Sequence, residues 1–169
     1  MSQNWLQPDW NPGLTVPSLP IEHFLQKGIK ALVLDVDGTL ITGRGIVVHD
    51  SVRKWVFETK KYLQIHLLSN NPSVKRIGSV ASHLELKFTC GAAKPRKKAL
   101  LKVMSQLQAS PSNTAIVGDR LFTDILVGNR IGLYTVLVKP LQTNGYPNEN
   151  NKIQFLEQSI ANLIGRIKQ

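Results

Sequence analysis

The 169-residue chain is expected to fold as an α/β protein: a parallel sheet with helices on both faces. Three observations predict this. Short, almost continuous apolar runs alternate with longer stretches of helical period, as strands buried on both faces and their crossover helices do. Several apolar runs end on an acidic or small polar residue, where strand ends of open sheets carry ligand-binding groups. The length suffices for one core but not for two.

Each element follows in order. The first twenty residues hold four prolines and two tryptophans and read as an extended strap, 1–20, laid on a single domain, 21–169. Residues 30–35 (KALVLD) form a buried strand that ends on an acid. Residues 40–48 (LITGRGIVV) read as a small hairpin, with Gly43 and Gly45 giving turn freedom. Residues 51–62 are helical, capped by Asp50 or Ser51. A strand at 64–69 precedes a helix at 72–84, with Pro72 in its first turn. A short strand at 87–90 leads to a helix over 95–108, again opened by a proline. The strand 114–118, a helix over 121–131 and the strand 133–138 complete the sheet. A polar loop with Pro140, Gly145 and Pro147 leads to a helix over 151–168. There Ile153, Leu156, Ile160, Leu163, Ile164 and Ile167 share one face.

Composition narrows the function classes. One cysteine, Cys90, excludes an internal disulfide and argues against a thiolate metal site. No stretch approaches the roughly 20 apolar residues that span a bilayer, and the N-terminus lacks a basic region followed by an apolar core. A cytoplasmic protein is the expectation, placed peripherally at the inner face of a membrane if it meets one. The formal net charge is +10. Four of the eleven acids (Asp35, Asp37, Asp119, Asp124) fall in two short motifs, leaving seven to face twenty-one Lys and Arg residues. A basic surface of this kind attracts anionic partners such as lipid headgroups or nucleic acid. Against single-stranded nucleic acid, the basic stretches lack interleaved aromatics.

The strand ends gather the chemistry. The first strand ends at Asp35-Val36-Asp37-Gly38-Thr39, the second at Ser69-Asn70, the fourth at Gly118-Asp119 with Asp124 one turn on. Lys94 stands before the helix at 95–108. Three acids meeting at one sheet edge repel unless a cation joins them, and a hard divalent ion such as Mg2+ suits oxygen ligands and a phosphate substrate. Charge stabilisation and positioning are most of what phosphoryl transfer requires. His23, His49, His66 and His83 are scattered without ligand spacing and read as structural.

The runs DVDGT, SN, KP and GDRLFTD, in this order, resemble the haloacid dehalogenase (HAD) superfamily of phosphatases over roughly residues 30–138. The resemblance implies a HAD-like Rossmannoid fold and a role for each matching residue. Asp35 would be the nucleophile that forms an aspartyl-phosphate. Asp37 would act as general acid, then general base, and lend its backbone carbonyl to the metal. Ser69 and Asn70 would hold a phosphoryl oxygen, and Lys94 would neutralise developing charge and orient Asp35. Asp119 and Asp124 would complete the Mg2+ site with Asp35 and Asp37. Thr39 and Arg44, the latter at the hairpin tip, are further candidates for substrate contact.

Neither interval where this superfamily inserts a cap has room for one, so the site should be open and no cap domain is expected. Gly28-Ile29-Lys30, Ser69-Asn70-Asn71 and Ala93-Lys94-Pro95 resemble the YqeG-like, class IIIA branch, although many of its members have Asn where this chain has Gly38. That branch includes phosphatidylglycerophosphate phosphatases. The resemblance thus implies a phosphatase for a phospholipid headgroup. The alternatives are a phosphatase for a soluble or nucleic-acid phosphate, and a phosphate-binding assembly protein without catalysis. Membrane contact through Trp5, Leu6 and Trp10 of the strap is a further expectation; the sequence leaves the oligomeric state open.

Overall fold

The computed structural model of the chain describes residues 4–43, 45–148 and 151–167, the last four of these by backbone only. Five parallel strands form one sheet: β1 (Ala31–Leu34), β2 (Gln64–Leu68), β3 (Lys87–Thr89), β4 (Thr114–Gly118) and β5 (Tyr134–Leu137), in the order β3-β2-β1-β4-β5. Leu34 pairs with Leu67 on one side and Val117 on the other, so the ends of β1, β2 and β4 lie level. The chain winds outward from β1 through β2 to β3, then crosses to β4. The crevice at a topological switch point therefore opens beyond β1 and β4, where ligands bind in such sheets.

Alternation along β1 explains the two layers. Leu32 and Leu34 face a cluster with Phe24 of α1 (Ile21–Gln26), Trp55 and Val56 of α2 (Asp50–Thr59), and Ile77 and Val80 of α3 (Val74–Leu84). Val33 faces the other way. It joins Leu100 and Val103 of α4 (Lys98–Leu107) and Val127 of α5 (Leu126–Ile131). Burying a side chain of this size is worth about 1.5–3 kcal/mol, and both layers are built from such residues.

The strap is part of the sheet's edge. Trp10 bridges Val136 of β5, and its backbone exchanges bonds with Thr135 and Leu137. The Trp10 ring stacks on His23 at 3.8 Å between centroids. That packing half-buries Trp10 against the domain. A single turn at Val16–Ser18 and α1, not anticipated from the proline-rich sequence, anchor Val16, Leu19 and Phe24 in the core.

Several boundaries differ from expectation. Residues 40–48 form no hairpin among the described residues. The segment turns on an isolated bridge between Asp37 and Ile41, because Gly38 N–H donates back to the Ile41 carbonyl at 2.8 Å. The cap of α2 is His49, whose ring accepts from Ser51 N–H at 3.2 Å. Ser73 caps α3, leaving Pro72 outside. Pro95 does not open α4: it follows a cis peptide bond, and the helix starts at Lys98. Among the described residues no cap element interrupts either interval. The last helix, α6 (Lys152–Ile167), returns along the β4 and β5 side.

Candidate active site

Asp35 follows β1 directly. Its N–H donates to the Val117 carbonyl of β4 at 2.9 Å, extending the ladder by one residue and fixing the carboxylate at the switch point. Lys94 Nζ lies 2.7 Å from Asp35 Oδ1 and 2.6 Å from Asp124 Oδ1, and donates to the Leu68 carbonyl at 2.8 Å. All three side chains are buried. Thr39 donates to Asp35 Oδ2 at 3.2 Å and reaches Asp119 Oδ1 at 3.4 Å. The fork that holds Lys94 is itself locked: the Asn70 side chain accepts from Lys94 N–H at 2.7 Å and donates to the Lys94 carbonyl at 3.0 Å.

Asp119 follows β4 as Asp35 follows β1. Asp124 comes back to the same point through a π-helical turn at Leu121–Ile125 (Ile125 N–H to the Arg120 carbonyl, 3.3 Å), a distortion frequent at functional sites. Two glycines make this crowding feasible. A Cβ on Gly118 would sit 2.3 Å from the Asp124 carboxyl, and one on Gly38 2.5 Å from Asp119 Oδ2.

Electrostatics follow from the burial. Desolvation, the largest influence, pushes the Asp35 carboxyl up to about 6 against the pull of Lys94. Burial and then the charges of Asp35 and Asp124 push Asp119 up to about 8. Burial alone would lower Lys94; Asp124 and Asp35 outweigh it and hold the ammonium above the ordinary lysine range. Asp35, Asp119 and Asp124 each offer an oxygen within 4.8 Å of the others. One lysine cannot neutralise three such carboxylates. An all-oxygen donor set with surplus negative charge fits a hard divalent cation.

The Asp37 carboxylate stands outside this cluster. Arg76 of α3 meets its Oδ1 at 2.5 Å, and Ser69 donates to its Oδ2 at 3.3 Å. Arg76 also donates to the carbonyls of Gly43 and Gly45, tying the segment after Asp37 to α3. The structure thus brings Asp35, Thr39, Lys94, Asp119 and Asp124 together, with Asp37, Ser69 and Asn70 beside them. Arg44 lies outside the described residues.

Arg76, Gln154 and Glu157 were missed from sequence. The Arg120 guanidinium pairs with Glu157 at 2.7 Å while its backbone N–H donates to Asp124 Oδ2 at 3.3 Å, and Gln154 donates to the Asp119 carbonyl at 2.9 Å. A signal existed for Glu157: it is the lone acid of the segment 151–169.

Comparison with known proteins agrees with this geometry. The sequence model of the HAD-hydrolase-like family matches residues 91–147, the stretch from Gly91 through the Asp119 and Asp124 loop. The chain is 27% identical over 124 residues to the probable phosphatase YqeG of Bacillus subtilis, covering 73% of this chain and 72% of that protein. Its sequence is thus similar to HAD-like hydrolases and to a probable phosphatase of that kind. The chain is also 29% identical over 181 aligned residues to the mitochondrial phosphatidylglycerophosphatase of Saccharomyces cerevisiae, covering 96% of each. Its fold matches the 3-deoxy-D-manno-octulosonate 8-phosphate phosphatase of Yersinia pestis with a TM-score of 0.52, at 18% identity over 70% of this chain and 66% of that one. No helix among the described residues is long and apolar enough to cross a membrane.

Proposed function

We propose that this phosphatase removes the terminal phosphate of phosphatidylglycerophosphate, giving phosphatidylglycerol, through an aspartyl-phosphate on Asp35 and with Mg2+ held by Asp35, Asp119 and Asp124 and the Asp37 carbonyl. The observation that carries the mechanism is the Asp35 carboxylate at the switch point, with one oxygen anchored on Lys94 and two further acids at its side.

Lys94 fixes Asp35 Oδ1, which leaves Oδ2, held by Thr39, as the attacking atom. Attack forms the Asp35 O–P bond as the bond from phosphorus to the glycerol oxygen breaks. Asp37, partly exposed and gripped by Arg76 and Ser69, gives the leaving oxygen its proton. In the second half Asp37 takes a proton from water, the water oxygen bonds to phosphorus, and the Asp35 O–P bond breaks to release inorganic phosphate. Ser69 and the Asn70 backbone orient the phosphoryl group in both halves. The divalent cation supplies charge neutralisation to the phosphoryl oxygens.

Two features support a lipid substrate. Among the described residues no cap covers the site, which leaves access for a headgroup still attached to a bilayer. A cleft of about 270 Å3, lined by Leu40, Ile41, Val47 and Leu141 with Thr42 and His49, begins one residue after Thr39 and offers surface for the glycerol part of a lipid headgroup. The yeast relative is named for this reaction.

The test is phosphate release from phosphatidylglycerophosphate in mixed micelles with Mg2+, beside an Asp35→Asn control and a panel of soluble phosphate esters. Release from the lipid far above the panel, absent in the control, is expected. Release from soluble esters alone would keep the chemistry and remove the lipid. A well-folded Asp35→Asn protein with full activity would remove the nucleophile.

A further inference from the structure

The helix α6 is mounted with its polar side inward. Its protein-facing residues are Gln154, Glu157, Gln158 and Ala161. The polar groups of Gln154 and Glu157 are used: Gln154 donates to the carbonyls of Asp119 and Val138 at 2.9 Å each. Glu157 accepts from Arg120 Nε at 2.8 Å and from Leu121 N–H at 2.9 Å. The apolar stripe points away. Ile153 is 53% exposed, Leu156 58%, Ile160 40% and Leu163 59%, with Phe155 at 74% beside them. Residues spaced 3, 4 and 3 apart lie on one helical face. Surface helices of globular proteins turn such a stripe to the core; contiguous exposed apolar surface marks an interaction site.

Charge selects what covers the stripe. The helix carries one acid, Glu157, and that acid is turned inward and paired with Arg120. Lys152 opens the helix, and the sequence places Arg166 and Lys168 at its end. The whole chain carries +10, so a second copy brings a like-charged body against this face. An amphipathic helix with basic flanks and no exposed acid has the chemistry of one that lies in the plane of a membrane interface.

We propose that the outward face of α6 is a docking surface for an anionic lipid bilayer, with Ile153, Leu156, Ile160 and Leu163 entering the headgroup boundary. The inward face then ties the docked helix to the Asp119–Arg120–Leu121 segment of the active site. Docking shares its lipid surface with the proposed substrate but requires no turnover, so the two are separable.

The experiment is co-sedimentation of the full chain with phosphatidylcholine vesicles with and without phosphatidylglycerol. It is run on the wild type and on the combined variant Ile153→Gln, Leu156→Gln, Ile160→Gln, Leu163→Gln. Hydrolysis of a soluble phosphate ester, the thermal melt and the solution mass are recorded for both. The wild type should bind the phosphatidylglycerol vesicles, bind less as salt rises, and ignore pure phosphatidylcholine. The variant should lose at least roughly tenfold in vesicle affinity while melting and cleaving the soluble ester as the wild type does. Four changes that leave binding intact would overturn the proposal. So would a wild type that ignores anionic vesicles, a variant that loses the soluble-ester activity along with binding, or a wild-type dimer that the variant dissolves. Binding by the wild type with no hydrolysis of phosphatidylglycerophosphate would uphold docking and discard the substrate.

Discussion

The switch-point site and the outer face of α6 invert the same rule in opposite directions. At the site, Asp35, Lys94, Asp119 and Asp124 are taken out of water. On α6, Ile153, Leu156, Ile160 and Leu163 are left in it. The first inversion is largely resolved within the chain. Lys94 bridges two carboxylates, Thr39 spans two, and the Leu68 carbonyl meets the ammonium. What remains is surplus negative charge, which a small cation neutralises. The second inversion has no resolution among the described residues, since the polar side of the helix, Gln154 and Glu157, is already taken up by Asp119, Arg120 and Leu121. Buried charge thus points to chemistry inside the fold, and exposed apolar surface points to a partner outside it.

The largest break comes from removing the internal resolution. Lys94→Met keeps the length of the side chain and deletes the charge that Asp35 and Asp124 share. Losing one preorganised charge-stabilising group costs ~2.7–4 kcal/mol in the transition state, about 10²–10³ in kcat. The same variant leaves two buried acids without their counter-charge, and breaking a buried pair in this way costs about 3–5 kcal/mol of stability. Turnover of a soluble ester and a denaturant melt, measured on one preparation, should both fall. A variant within threefold of wild-type kcat would make Lys94 a structural residue.

A gentler perturbation sharpens the residual charge. In metal-free protein Asp119 holds its proton up to about pH 8 and Asp35 up to about 6, whereas unfolded carboxyls release theirs near 4. Between those values the folded state binds more protons than the unfolded one. Stability should therefore fall as pH rises from about 4 to 8. A cation replaces those protons, so the rise in Tm on adding Mg2+ should grow across the same window. Melts with Mg2+ and with EDTA at pH 5.5 and 8 check this. A metal effect that is equal at both pH values, or absent, would detach the three acids from a cation site; full activity in EDTA would remove the metal from the mechanism.

The two inversions also differed in how far the sequence displayed them. Asp35, Asp37, Ser69, Lys94, Asp119 and Asp124 could be placed at one edge because strand ends are readable from apolar runs, and a parallel sheet aligns them. The fold was legible for the same reason. The stripe on α6 was legible as a stripe, but its direction was not. Orientation depends on Gln154 and Glu157 meeting backbone groups of the Asp119 loop, pairs more than thirty residues apart with no periodic trace. Arg76 escaped for a related reason: its contacts with Asp37, Gly43 and Gly45 depend on how the segment after β1 turns. That segment was misread as a hairpin because Gly43 and Gly45 resemble hairpin glycines. Pro95 misled at α4, since the residue that suits a first helical turn here follows a cis bond instead.

His66 supplies the smallest and cleanest contrast, a buried titratable group bonded to Thr89 and not to the acids of the switch point. It sits on β2 with Nε2 3.0 Å from Thr89 Oγ1. Nδ1 has no hydrogen-bond partner among the described residues. Burial first, then the charge of Lys87, lowers its pKa to about 4. The unfolded chain protonates His66 near 6.5, so between about 4 and 6.5 the unfolded state binds the extra proton, and stability is lost as pH falls through that window. This slope is opposite in sign to that of the metal-free acids, which lets the two be separated. A shift of this size corresponds to on the order of 3 kcal/mol at full effect. Urea unfolding of wild type and His66→Gln at pH 7 and pH 4.5 should show the variant losing less stability between the two. Turnover at pH 7 should stay within about twofold, since nothing ties the imidazole to the reacting atoms. A His66→Gln protein with wild-type pH dependence would assign the acid-side loss to other groups. One with collapsed turnover would place His66 in the site, and burial of a charge-bearing group in this fold would then mark function even without a partner.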